Sequence, residues 1–148
     1  MKHNLKKLQL QDLFVGAWVQ EISEITKRPS IPRYVNALFE GGDLYLDFPE
    51  NPSDVCEAKI DEVFGLPIDV DNMIHFGFTE IEHNVFEKKC DGYKVVVEIH
   101  EHQQYKLIRA KIQHDDGGFQ FNDNLIYIHH LQKFAFESTR KPLVLDWK

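Results

Sequence analysis

The stretch Tyr93-Lys94-Val95-Val96-Val97-Glu98-Ile99-His100 decides how this chain is read. Val95, Val97 and Ile99 alternate with Val96, Glu98 and His100, the two-residue period of a strand with one apolar and one wet face. Turn chemistry surrounds it: Asp91-Gly92 precedes it and Asp116-Gly117-Gly118 follows, both rich in residues that tolerate positive φ. On either side, Val85 to Lys88, Tyr105 to Ile112 and Phe119 to Phe121 complete an antiparallel meander.

A third turn, Gly41-Gly42-Asp43, joins Tyr34 to Phe39 and Leu44 to Phe48 in a hairpin. Pro29, Pro32, Pro49 and Pro52 fall at its outer ends, where a missing N–H does least harm. Phe14 to Ile22 reads as an opening strand, and its Val15-Gly16-Ala17-Trp18-Val19 run is like the first strand of many small barrels.

Two helices interrupt the strands. After Pro67, Asp69 is placed to cap a helix of about two turns, with Asp71 near its N-terminus, an apolar stripe of Val70, Met73 and Ile74, and an end at Gly77. The second starts from Asn122, Asp123 or Asn124 as cap and carries Ile128, Leu131, Phe134 and Ala135 at helical spacing before Pro142. The expected fold is α+β and mainly antiparallel. It has an N-terminal SH3-like barrel unit, a short middle helix, and a C-terminal meander covered by a helix. We read residues 1–148 as one domain, with Gly65 to Asp69 separating subunits 10–68 and 69–148.

The 148 residues are 43% hydrophobic and 28% charged, the balance of a globular protein. A chain of this length buries about 70% of its unfolded surface, so a real core needs no staples. Asp and Glu outnumber Lys and Arg by 24 to 17, and residues 1–74 hold 13 of the acids. Nucleic-acid affinity rests on cations displacing counterions, so a net charge of −7 counts against a general DNA or RNA binder. Two cysteines, Cys56 and Cys90, form neither a disulfide framework nor a CxxC zinc knuckle. Lys2, Lys6 and Lys7 lend the first residues a basic character, but the apolar run from Leu13 to Val19 is too short for a signal sequence or membrane span. A cytoplasmic protein away from membranes is expected.

Tyr127-Ile128-His129-His130-Leu131-Gln132, continued by Phe136, Thr139 and Leu143, resembles a signature reading Tyr-Val-His-x-Leu-Gln-(x)3-Phe-x-x-Thr. That signature marks an uncharacterised family of small proteins from prophages and mobile elements of anaerobic gut bacteria. Leu13-Phe14-Val15-Gly16-Ala17-Trp18-Val19 is similar to the family's opening strand, and Leu66-Pro67-Ile68 with Gly77-Phe78 to its middle helix. Arg140 stands where the family usually has a helix-ending glycine. The stretch from Arg28 to Pro52 is also longer than the family pattern. The resemblance implies a genomic context and an architecture, and no reaction.

Three constellations could carry chemistry. His129 and Gln132 share a helix face that Phe136 continues one turn later, and with Tyr127 and Trp18 they are the candidate binding residues. The competing role for His129 and Gln132 is to lock the helix to the sheet through backbone hydrogen bonds. His100 and His102, with Glu98 on the same side, could ligate a transition metal, with His130 as another third ligand; cupin-like sites, however, need a following glutamate, which Gln103-Gln104-Tyr105-Lys106 lacks. Lys88, Lys89, Lys94, Arg109 and Lys111 would serve a nucleic acid only if they converged on one face.

Other motifs fail. Asp69-Val70-Asp71-Asn72 with Glu80 lacks the glycine of a calcium loop, Ile74 standing in its place. No Gly-x-Ser-x-Gly elbow, P-loop or dinucleotide motif occurs, and a cysteine nucleophile has no base that the sequence can place. Trp18, Phe39, Tyr45, Phe48 and Phe64 make the N-terminal part aromatic; if two or three were exposed beside the acidic loop Asp43 to Asp54, a basic or peptide-like partner would follow. The expectation is therefore a non-enzymatic accessory protein acting by protein–protein contact without cofactor or metal, self-association through meander edges being open to it. Its rival is a small metal-dependent hydrolase or nuclease built on His100 and His102.

Overall fold

The computed structural model describes residues 8–22, 25, 27–49 and 51–148, with the side chains of 51–54 left aside. The basic positions Lys2, Lys6 and Lys7 lie outside the described residues. The fold is α+β, mainly antiparallel, and the chain divides into two compact units between Leu66 and Pro67.

The N-terminal unit is a five-stranded antiparallel sheet in the order β4-β3-β2-β1-β5, formed by β1 (Trp18–Glu21), β2 (Arg33–Leu38), β3 (Asp43–Phe48), β4 (Asn51–Lys59) and β5 (Val63–Gly65). The chain does not close into a barrel. The expected hairpin is β2–β3, with Gly41 and Gly42 at φ of +93° and +92° in its turn. Three expectations change here. The opening strand is confined to Trp18–Glu21 because the chain turns at Gly16, whose φ is +96°. The acidic stretch from Asp43 is paired strand rather than loop, β3 with β4. Pro52 falls inside β4, an edge strand, where one side of the backbone makes no ladder bonds.

Leu13, Ala17, Val19, Val35, Leu44, Leu46, Ala58 and Val63 form this unit's core. Two polar contacts lie within it: Gln20 Nε2 donates to Gly65 O at 3.2 Å, and Asn36 Nδ2 to Asp47 Oδ2 at 2.7 Å, while Asp47 Oδ1 and Arg33 Nε are buried without a hydrogen-bond partner among the described residues.

The C-terminal unit is a meander in the order β10-β9-β8-β7-β6: β6 (Thr79–Glu82), β7 (Val85–Lys89), β8 (Tyr93–Glu101), β9 (Lys106–His114) and β10 (Phe119–Asn122). The alternation that defines β8 is realised: Tyr93, Val95, Val97 and Ile99 are buried, as are their β9 neighbours Ile108, Ala110 and Ile112. Helix α2 (Ile128–Thr139) lies against β9 and buries Ile128, Leu131, Phe134 and Ala135.

The caps differ from expectation in one of two cases. Asp69 does cap α1 (Val70–His75), its Oδ1 accepting from Asn72 N at 2.8 Å. Asn122, Asp123 and Asn124 do not cap α2, because Asn122 still belongs to β10 and its Oδ1 accepts from Asn124 N at 2.8 Å; the cap is Tyr127. The α1 stripe also differs. Met73 is fully buried, whereas Val70 and Ile74 are exposed, since a six-residue helix has room for only one inward turn.

Candidate functional site

A concavity on the N-terminal unit grows from the β2–β3 turn. Asp43 pairs with Lys59 and Tyr45 with Glu57 across β3 and β4, and residues two apart on a strand share a face, so all four side chains emerge together. Phe39 lies before the turn, with its ring 5.0 Å from that of Tyr45, edge to face. Glu62 arrives from the helical turn after β4. With Ala58 these residues line a recess of about 440 Å³, the size of a small-ligand or side-chain pocket.

The recess is held by backbone bonds: Phe39 N donates to Asp43 O at 2.9 Å, and Ile60 N to Gly42 O at 2.8 Å. Gly42 is needed twice over, for its positive φ and because a Cβ there would sit 2.9 Å from Ile60 Cγ2. Among the described residues, Asp43, Glu57 and Glu62 make no ion pair, and the lining holds three carboxylates against the single ammonium of Lys59. Two aromatic rings beside uncompensated carboxylates suit a cation with an apolar stem. Phe39, Asp43 and Tyr45 stood out in the sequence. Glu57 and Glu62 did not, because strand pairing brings Glu57 there and the helical turn that follows β4 brings Glu62.

The other candidates disperse. Trp18 is buried in the N-terminal unit, its ring 5.2 Å from Tyr34. In the C-terminal unit, Tyr127, His129 and Gln132 are buried, while Phe136 is 47% exposed and leaves their surface. Tyr127 and His129 stack with centroids 5.5 Å apart, and His130 lies 4.6 Å from His129. His130 Nδ1 accepts from Ile126 N at 3.3 Å and Tyr127 N at 3.4 Å, serving the start of α2. The three rings cluster at the N-terminal end of α2.

Glu98 and His100 do meet, Oε2 to Nε2 at 3.1 Å on the solvent face of β8. His102 lies beyond the strand end and packs on Tyr105, centroids 4.8 Å apart. Among the described residues, no three His, Cys, Asp or Glu side chains gather as a metal group.

Of the basic residues, Lys89, Lys94, Arg109 and Lys111 share the solvent face by register, whereas Lys88 pairs opposite core-facing Val95. Much of that charge is already matched: Lys94 lies 3.6 Å from Glu87, and Arg109 2.8 Å from Asp123. Both thiols are held above the usual cysteine range chiefly by burial, Cys56 despite the nearby Arg33 guanidinium that binds Glu21. Neither is an activated nucleophile.

No helix among the described residues is long and apolar enough to cross a membrane. Comparison with protein-family models, curated proteins and solved structures finds no match to the chain.

Proposed function

We propose that this chain is a non-enzymatic interaction module, an accessory protein of the mobile-element kind that its C-terminal motif resembles. Its N-terminal recess docks a basic side chain of a protein partner. One observation carries the reading: Phe39 and Tyr45 stand beside three carboxylates that make no ion pair among the described residues, in a recess fixed by backbone bonds. A lysine or arginine side chain places its stem on the rings and its charge among the acids, a pairing of about 0.5–2 kcal/mol for the cation–π part alone.

The test is titration of the protein with an arginine- and lysine-bearing peptide and with the same peptide acetylated at lysine and citrullinated at arginine, followed by chemical-shift changes. Shifts at Tyr45, Glu57 and Glu62 with the charged peptide only are expected. Equal responses to both peptides, or responses away from the recess, overturn the reading.

The hydrolase reading has the Glu98–His100 contact in its favour. It predicts stoichiometric zinc or manganese in the untagged protein, lost in His100→Ala or His102→Ala. Such metal would displace the interaction module as the leading function.

A further inference from the structure

Four described strands stand at sheet edges, and three of them carry devices that discourage further pairing. Strand β4 contains Pro52 and a register shift opposite Leu46 and Phe48. Strand β5 has only three residues. Strand β6 reads Thr79-Glu80-Ile81-Glu82, with two acids and a register shift between Glu80 and Glu82.

Strand β10 has none of these. Phe119-Gln120-Phe121-Asn122 bears no charge and no proline, and it pairs with β9 residue for residue without a shift. Phe119 and Phe121 are 56% and 54% exposed, in edge-to-face contact at 5.2 Å. Lys111 Nζ lies 5.2 Å and 5.7 Å from their centroids. The outward backbone edge of β10 meets no other described strand.

We propose that β10 pairs antiparallel with β10 of a second copy, joining two five-stranded sheets into one of ten strands. Charge favours a second copy as the occupant. Two-fold antiparallel pairing of a strand with itself sets residue i against j and j against i, so a strand whose charges are all of one sign brings like charges together. All four residues of β10 are neutral, while the acidic β6 would repel its copy. Pairing gathers four phenylalanine rings on one face. Each Lys111 stays one strand back over its own pair, clear of its counterpart. This inference stands apart from the N-terminal recess and does not depend on it.

The test is mass in solution across a concentration series, with amide hydrogen exchange on the unmodified protein. A dimer is expected at high concentration, with exchange at residues 119–122 slowing as it forms and exchange at 79–82 unchanged. Phe121→Lys, at an exposed position, should give a folded monomer throughout. If that variant fails to fold, the exchange pattern of the unmodified protein decides. A monomer at every concentration overturns the proposal, as does a dimer whose β10 amides ignore concentration or one that persists in folded Phe121→Lys. A monomer whose Phe119 and Phe121 respond to a single-stranded oligonucleotide overturns it in favour of a nucleic-acid surface.

Discussion

Phe39 and Tyr45 meet edge to face across the β2–β3 turn, ring centroids 5.0 Å apart, and form the apolar wall of an otherwise acidic recess. If the wall holds the stem of a basic side chain, Tyr45→Ala should weaken a charged peptide about 2- to 30-fold, from ~0.5–2 kcal/mol of lost cation–π contact. Glu57→Gln should weaken it less at high salt than at low salt, since exposed charges are screened over about 8–10 Å. Fluorescence anisotropy with labelled peptide at two ionic strengths checks both. Unchanged affinity in Tyr45→Ala would remove the wall from the account.

Tyr93 gives a prediction in pH. Its phenol is buried at the start of β8, and burial first, then the neighbouring Cys90, pushes its pKa from the ordinary 10 up to about 12. The folded state therefore holds this proton more tightly than the unfolded one. Its contribution to stability is complete below pH 10 and is lost as pH rises through about 12. Spectrophotometric titration should show one of the five tyrosines ionising last, together with loss of fold. Cys90→Ala should bring that step earlier while leaving most of the shift, because burial remains.

Arg140 supplies a prediction about local strain. It ends α2 at φ +60° and ψ +16°, with its N–H donating to Phe136 O at 2.7 Å. A residue with a Cβ pays about 1–2 kcal/mol in this left-handed region, and glycine escapes that cost while losing about 0.5–1 kcal/mol in chain entropy. Arg140→Gly should thus stabilise the protein by about 0.5–1 kcal/mol, raising Tm by a few degrees in thermal unfolding. A fall in Tm would mean that the arginine side chain holds contacts worth more than the strain.

How much of this was legible in the sequence depended on whether an element has an inside. Strands β3 and β8 announced themselves because their inward residues alternate with wet ones beside glycine turns. Strand β6 did not, because Thr79, Glu80, Ile81 and Glu82 are all exposed, and no core imposes a period on them. Strand β4 was hidden by Pro52 and its charges, and with it went Glu57 and the following Glu62, two of the recess's three carboxylates. Their role follows from how β4 pairs with β3 and from the turn that ends it, which no local pattern encodes. The α2 face was read correctly at Ile128, Leu131 and Ala135. Phe136 was misplaced because helical spacing gives an angle, not the distance along the axis at which the covering sheet stops.

The same limit makes α1 a sharp test. Sequence spacing assigns Val70, Met73 and Ile74 to one stripe, yet Met73 is fully buried while Ile74 is 52% exposed. The helix has only six residues, and its direction is fixed by the Asp69 cap and by Asn72 Nδ2 donating to Pro67 O at 2.8 Å, so a single turn faces inward. Met73→Ala should therefore cost about 2–5 kcal/mol, the lost transfer energy plus the cavity left behind. Ile74→Ala at the next position should stay within about 0.5 kcal/mol. Denaturant unfolding of the two variants decides it. Similar losses in both would mean that α1 presents the broader stripe that its sequence suggests.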